Sequence, residues 1–230
     1  MSPDNPFTRM QKLEYAKESA KWSPTDRDPV VGSWDAHEAW TDYDLLFAGL
    51  DTGGMVALDF GCGPGRMMLR YGDRFRRIDG ADIDETNLGN ARARLGLNSK
   101  LFLTDGVSLT GIPSAHYDLV FSVITLQHIP VRSIRYNLLQ EFFRVLKPGG
   151  VFTAQTGFGE TDDYRGTPYP EDRWDAPLTN GACDVIVPRW EDLRDDLHSV
   201  GFWGTQHEVR PAGPNDWHPN WIFFRAFKKG

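Results

Sequence analysis

A chain of 230 residues suits one sizeable domain and falls short of two. Hydrophobic residues make up 40% and charged residues 25%, which is ordinary globular usage, and the net charge of −7 argues against a dedicated nucleic-acid binder, because phosphate contact needs a basic face. Two cysteines, Cys62 and Cys183, give no disulfide framework, no apolar run approaches membrane-spanning length, and Met1–Gln11 is not a secretory signal, so the expected setting is a soluble, reduced cytoplasm.

In chain order, Asn5-Pro6 opens a helix expected to run to Trp22, with Pro in the first turn. Ser23–Val31 is a loop rich in Pro and Asp. A second helix is expected from about Trp34 to Leu50, with Ser33 near its cap and Trp40, Tyr43, Leu46 and Phe47 at helical spacing. Together these make an N-terminal helical cap over residues 1–52. Met55–Phe60 then reads as a buried central strand of a parallel sheet, broken by one acid, Asp59. Glycines follow at Gly61, Gly63 and Gly65, ahead of a segment that can start a helix. Glycine reaches positive φ without penalty and lets a ligand lie against bare backbone, so this junction reads as a nucleoside-cofactor cradle. A dinucleotide fingerprint wants glycine at position 66, where this chain has arginine. Asp59 is also awkward for a pyrophosphate, and a ligand with a cationic end and no phosphate suits it better. Cys62 is a small filler in the glycine turn.

The first sheet-flanking helix continues through Met67–Tyr71 to Gly72; Arg66, Arg70 and Arg74 share its face, with Arg76 and Arg77 beyond, and a solvated face accounts for them. Arg77–Asp82 is the second strand, ending in an acid about 20 residues past the glycine turn, where the hydroxyls of a ribose lie. Asp84 caps the next helix (to Leu95, with Gly96 behind it), which frees Asp82 for ribose and sets Ile83 against one face of an adenine. Lys100–Thr104 is the third strand, with Asp105-Gly106 at its end; Tyr117–Ser122 is the fourth, leading into Val123–Pro130. Arg132–Leu146 is a long amphipathic helix stopped by Lys147-Pro-Gly-Gly150, and Val151–Gln155 is the fifth strand. From Thr156 to Val187 the periodicity fails, giving a polar, acidic, aromatic loop longer than a compact fold needs, expected to serve as a substrate lid. Pro188–Val200 is a helix ended by Gly201, and Phe202–Arg210 with Trp221–Phe227 form a closing pair of strands around Pro211–Asp216.

The run from Val56 to Gly65 resembles the first motif of the class I S-adenosylmethionine (SAM)-dependent methyltransferases. The strand-two acid, the Asp-Gly after strand three, the strand-four segment and the Leu-Lys-Pro-Gly-Gly turn follow in that family's order. The resemblance implies an α/β, Rossmann-like three-layer α/β/α sandwich with a mostly parallel seven-stranded sheet of order 3-2-1-4-5-7-6, strand seven antiparallel. It covers Val56 to about Gln155 and the closing helix and strands, leaving the N-terminal helices and the 156–187 loop to choose the substrate; the single domain then reads as the cap, a SAM-binding core over 53–155, the 156–187 lid, and a C-terminal helix and strands over 188–230. It implies that Asp59, Gly61, Cys62, Gly63, Gly65, Asp82 and Ile83 hold the cofactor. Asp105 would accept from the adenine amino group, beside Gly106, while Ser122 borders the methyl-transfer site.

The implied chemistry is displacement at the sulfonium methyl by an oxygen or nitrogen of a small molecule, with carbon as a further option, and S-adenosylhomocysteine as product. Alignment and desolvation are then the main tasks. A hydroxyl acceptor also needs a base, and His128, just past strand four, is the best candidate because imidazole titrates near neutrality. Tyr164 and Trp174 in the lid are the expected substrate contacts, suited to a sugar, an amine or a natural product through hydrogen bonds and stacking. Glu160, Asp162 and Asp163 lack a convincing metal-ligand set, so no metal is expected. No nucleic-acid or membrane partner is expected either, and the chain is read as a monomer or homodimer. The rival readings are an RNA or protein methyltransferase, a catalytically silent SAM-binding scaffold, and an NAD-dependent oxidoreductase.

Overall fold

The computed structural model describes residues 5–19, 38–96, 98–160, 167–174, 185–213, 216 and 218–230. The hydrophobic run Val56–Phe60 forms strand β1, buried along its whole length as a central parallel strand requires. Around it the sheet is built from β2 (Arg77–Asp82), β3 (Leu101–Leu103), β4 (Tyr117–Ser122) and β5 (Leu146–Phe158), joined in the order β3-β2-β1-β4-β5, all parallel. Four further strands are β6 (Thr167–Pro168), β7 (Val185–Val187), β8 (Trp203–Pro211) and β9 (Asn220–Phe227). Strand β9 lies antiparallel against β5, and β8 antiparallel against β9. The backbone order β3-β2-β1-β4-β5-β9-β8 is therefore the one expected, with the last strand in sequence antiparallel and second from the edge.

Helices cover both faces. One layer holds α4 (Arg132–Val145) and α5 (Trp190–Val200), which bury Ile134, Leu138, Phe142, Leu193 and Leu197 against Leu58 and Phe60. The other holds α2 (Arg66–Tyr71) and α3 (Glu85–Arg94), with Met67, Met68, Tyr71 and Leu88 against Ala57, Leu119 and Phe121. Phe47 locks that layer through edge-to-face contacts with Tyr71, Phe75 and Phe121 at 4.9, 5.3 and 5.3 Å. Helix α1 spans Pro6–Ser19, and Asn5 caps it by accepting from Thr8 N at 2.9 Å. None of the described helices is long and apolar enough to cross a membrane.

Three expectations are corrected. The second N-terminal helix is a 3-10 helix over Glu38–Phe47, not an α-helix. Three residues per turn stack Tyr43 and Leu46 on one face, and both are buried. The expected start of that element and the preceding loop lie outside the described residues. Strand β5 begins at Leu146 rather than Val151, because Lys147–Gly150 form a bulge inside the strand: Leu146 pairs with Tyr117 and Val151 with Leu119. The 156–187 stretch, expected as one irregular loop, carries β5's last residues, the two-residue β6 and the buried β7, which adds to β5 at Gly157–Phe158.

Residues 169–173, just after β6, are strapped to the start of α4. Asp172 Oδ1 accepts from Ser133 N and Oγ at 2.8 and 3.0 Å, supplying from a distant part of the chain the cap that Val131 cannot. Arg132 N donates to Glu171 O and Arg173 N to Pro130 O, while the buried Arg135 guanidinium donates to both Ile129 O and Tyr169 O.

Candidate active site

The carboxyl ends of β1, β2 and β4, together with α1, enclose a cavity whose empty space, open mouth included, is about 970 Å³. Its floor is the glycine turn. Gly61 N and Cys62 N both donate to Ala81 O at 2.7 and 3.1 Å, which fastens the turn to β2. Gly61 has φ +76°, and a Cβ there would sit 2.1 Å from Thr125 Oγ1, so only glycine lets the turn after β4 close against the turn after β1. Ile124, beside Thr125, takes φ +50°, a strained conformation for a β-branched residue. Val123, Ile124 and Thr125 form one cavity wall.

Two acids face this space. Asp82 Oδ2 accepts from Gly63 N at 2.8 Å and Oδ1 from Asp84 N at 2.9 Å. Each oxygen keeps lone-pair capacity for a ligand hydroxyl. Burial pushes its carboxyl up to about 6 in spite of these two amides. Asp59, in β1, is 1% exposed, and its Oδ2 makes no hydrogen bond. Burial raises its carboxyl to about 8; the Arg66 guanidinium pulls it down, and the Asp82 charge pushes it further up. A buried carboxylate oxygen without a partner, on a residue that lines a cavity, is costly unless a cation arrives. The neighbouring Cys62 thiol is likewise pushed up by burial, then by Asp82 and Asp59, which leaves it an inert filler.

Of the expected cofactor residues, Asp59, Gly61, Cys62, Gly63, Asp82, Ile83 and Gly106 all line the cavity. Gly65 does not. Its φ of +87° and its approach to Ala91 and Leu95 make it the joint between the turn and α2. Asp105 does not face the cavity either: Oδ1 accepts from Val107 N and Ser108 N at 2.9 and 2.6 Å and Oδ2 from Ser108 Oγ at 2.7 Å, so the carboxylate is turned into its own loop. Thr104 and Gly106, on either side of it, line the space instead. Ser122 Oγ donates to Phe60 O at 3.0 Å, a tie between β4 and β1 rather than a cavity contact.

His128 is buried at 9% exposure in the 3-10 turn Leu126–His128, whose neighbours Thr125 and Ile129 line the cavity while His128 itself does not. Trp174 is 40% exposed and does not line the cavity. Tyr164 lies outside the described residues, as do Asp162, Asp163 and Cys183. Among the described residues no three His, Cys, Asp or Glu side chains converge as a metal site.

The chief contribution that sequence reasoning missed is α1. Gln11, Tyr15 and Ser19 line the cavity, and Ser19 Oγ donates to Asp84 Oδ1 at 2.9 Å while Gln11 Nε2 donates to His128 O at 3.3 Å. Their spacing of four residues puts them on one helix face. Asn87, Met67 and Arg66 from α3 and α2 also line the cavity.

A family model for a methyltransferase domain matches residues 57–150, which hold the glycine turn, both acids and β4. A probable methyltransferase of Aspergillus luteorubrus is 35% identical over 111 residues, covering 43% of this chain and 38% of that one. A malonyl-[acyl-carrier protein] O-methyltransferase of Serratia marcescens is 30% identical over 176 residues, covering 75% and 59%. The chain thus spans less than two thirds of the length of these curated relatives. A solved structure of a Haemonchus contortus phosphoethanolamine N-methyltransferase, in complex with phosphomonomethylethanolamine and S-adenosylhomocysteine, superposes on all of this chain and 61% of its own with a TM-score of 0.65 at 17% identity, a likeness of fold. With the glycine turn, the two acids and this sheet order in place, the chain belongs to the class I SAM-dependent methyltransferase family, whose methyl donor is S-adenosylmethionine.

Proposed function

We propose that this chain transfers a methyl group from S-adenosylmethionine to an oxygen or nitrogen of a small molecule. The observation that carries the reading is Asp59: a buried carboxylate oxygen, without a hydrogen bond, in the wall of the cavity at the glycine turn. A cationic, phosphate-free adenosine compound satisfies it, and a pyrophosphate does not. S-adenosylmethionine, when bound, supplies a methyl already activated for displacement.

The chain's own residues then do four things. Asp82 accepts from the ribose hydroxyls with the capacity its two backbone bonds leave. Ile83, held against Gly106 so closely that a Cβ there would lie 2.6 Å from Ile83 Cδ1, presents a flat apolar surface for the adenine. Gln11, Tyr15 and Ser19 close the cavity from above and exclude water, which strengthens every charge interaction inside. His128, on the turn between Thr125 and Ile129, takes the proton from a hydroxyl acceptor. The O-methyltransferase and N-methyltransferase relatives support a small acceptor of either kind. The test is label transfer from S-adenosylmethionine to a fractionated metabolite pool: a labelled small molecule is expected, and tight cofactor binding with no labelled product, or label only in protein or RNA, overturns the reading.

A further inference from the structure

We propose that Arg135 is a positioning residue for the reaction: its guanidinium couples the wall of the cofactor cavity to residues 169–173, so that cofactor in the cavity tightens that segment and the turn bearing His128. This rests on the cofactor assignment above and names the side chain through which the cavity acts on its surroundings.

The wall in question follows β4. Thr125 and Ile129 line the cavity, with the 3-10 turn Leu126–His128 between them. Two side chains from different elements hold consecutive carbonyls of this stretch. Gln11 of α1, itself in the cavity lining, donates to His128 O at 3.3 Å, and Arg135 Nη1 of α4 donates to Ile129 O. The other arm of the same guanidinium, Nη2, donates to Tyr169 O, and the group lies 4.8 Å from the centroid of the Tyr169 ring. One rigid planar fork therefore fixes the cavity wall and the segment after β6 relative to each other. Backbone bonds continue the junction, from Arg173 N to Pro130 O at 3.1 Å and from Arg132 N to Glu171 O at 3.2 Å.

Stability alone does not call for an arginine at this place. Arg135 is 3% exposed, and its hydrogen bonds go to two neutral carbonyls, while Asp196 pairs with Arg132 at 2.5 Å and Asp172 binds Ser133. Burial lowers its pKa to about 10, against the opposite pull of Tyr169, Asp196 and Asp172, so it stays a cation at neutral pH. A buried charge is costly, and an apolar side chain of like volume often packs such a place as well or better. What the arginine supplies is a bridge between carbonyls of two separate segments. A ligand shifts such a junction only by its differential affinity for the fastened and unfastened states, and cofactor meets Ile129 in place only in the first. Linkage makes the effect reciprocal. The factor by which cofactor slows opening of the junction equals the factor by which losing the bridge weakens cofactor binding.

The test is hydrogen–deuterium exchange read by mass spectrometry, with and without saturating S-adenosylhomocysteine, beside calorimetry with the same compound. In the wild-type chain the Arg132 and Arg173 amides are expected to slow about five- to tenfold more than a remote amide such as Lys228 N, which donates to Gly150 O and reports only global stabilisation. Arg135→Met is expected to lose that extra slowing and to bind S-adenosylhomocysteine more weakly by the same factor. Arg135→Lys, which keeps a cation without the fork, is expected to behave as Arg135→Met does. Calorimetric binding by the wild-type chain with no extra slowing overturns the proposal, leaves the cofactor assignment standing and needs no variant to fold. Wild-type affinity in Arg135→Met, or the full extra slowing in Arg135→Lys, overturns it as well. A wild-type chain that does not bind S-adenosylhomocysteine overturns the cofactor assignment and this proposal with it.

Discussion

The amide of Gly63 donates to Asp82 Oδ2 at 2.8 Å, so the turn after β1 and the last residue of β2 are joined before any ligand enters. One carboxylate both shapes the glycine turn and faces the cavity. Asp82→Asn replaces one acceptor oxygen with an amide that cannot accept from Gly63. S-adenosylhomocysteine affinity is expected to fall on the order of 10- to 100-fold, with a loss of about 1–2 kcal/mol in unfolding free energy. Calorimetry and urea denaturation measure the two effects; unchanged affinity would remove the ribose role.

Asp59 makes cofactor binding depend on pH. In the folded chain its carboxyl holds a proton up to about pH 8, against an ordinary value of 3.8. The folded state therefore binds more protons than the unfolded state across that window, and this group lowers stability as pH rises through it. Asp82, raised to about 6, acts in the same direction over its lower part, while the Arg66 charge opposes the shift of Asp59 and the Asp84 and Gly63 amides oppose that of Asp82. A ligand ammonium favours the ionised carboxylate, so binding at pH 7 releases a proton and affinity rises toward pH 8. Calorimetric titration with S-adenosylhomocysteine in phosphate and in Tris is expected to give enthalpies that differ by close to one buffer ionisation, about one proton. Identical enthalpies in the two buffers contradict it.

Gly61 is required by a neighbour as well as by its own backbone. Gly61→Ala places a Cβ on Thr125 Oγ1 and forces alanine to φ +76°. A destabilisation of about 2–4 kcal/mol is expected. Adding Thr125→Gly should recover the steric share and leave about 1 kcal/mol of backbone strain. Thermal melts of the single and double variants read this directly, and purely additive losses would show that the two side chains do not compete for one space.

Asp172 caps a helix from across the molecule. Asp172→Ala is expected to cost about 1 kcal/mol by leaving Ser133 N without its acceptor. Denaturation by urea detects a loss of that size, and Asp172→Asn should retain most of the stability.

His128→Ala is expected to keep S-adenosylhomocysteine affinity, because the imidazole does not line the cavity, while turnover with a hydroxyl acceptor falls by about 10²–10⁴ at neutral pH. Turnover at the wild-type rate removes the base assignment.

Much of this architecture is legible from local pattern. Buried parallel strands announce themselves as apolar runs, and Asp84 reveals itself as a cap by its place before Glu85, leaving Asp82 for the cavity. What the pattern hid was long-range. The apolar triplet Val185–Val187 is too short to stand out within a polar stretch, and becomes a strand only because β5 outruns β4 and offers it an edge. Asp105 resembles a ligand contact in sequence, but the amides of Val107 and Ser108 are closer at hand and capture it. Gln11, Tyr15 and Ser19 reach the cofactor cavity only through the docking of α1, which no local propensity encodes. Arg66 was read as one of a solvated row of arginines, yet the left-handed Gly65 turns it inward.

The measurement that bears most directly on the central claim is calorimetric titration of the purified chain with S-adenosylhomocysteine beside NAD. Saturable one-to-one binding of S-adenosylhomocysteine, lost in an Asp59→Ala, Asp82→Ala double variant that still melts cooperatively, is the predicted result. Heat with NAD and none with S-adenosylhomocysteine would contradict it.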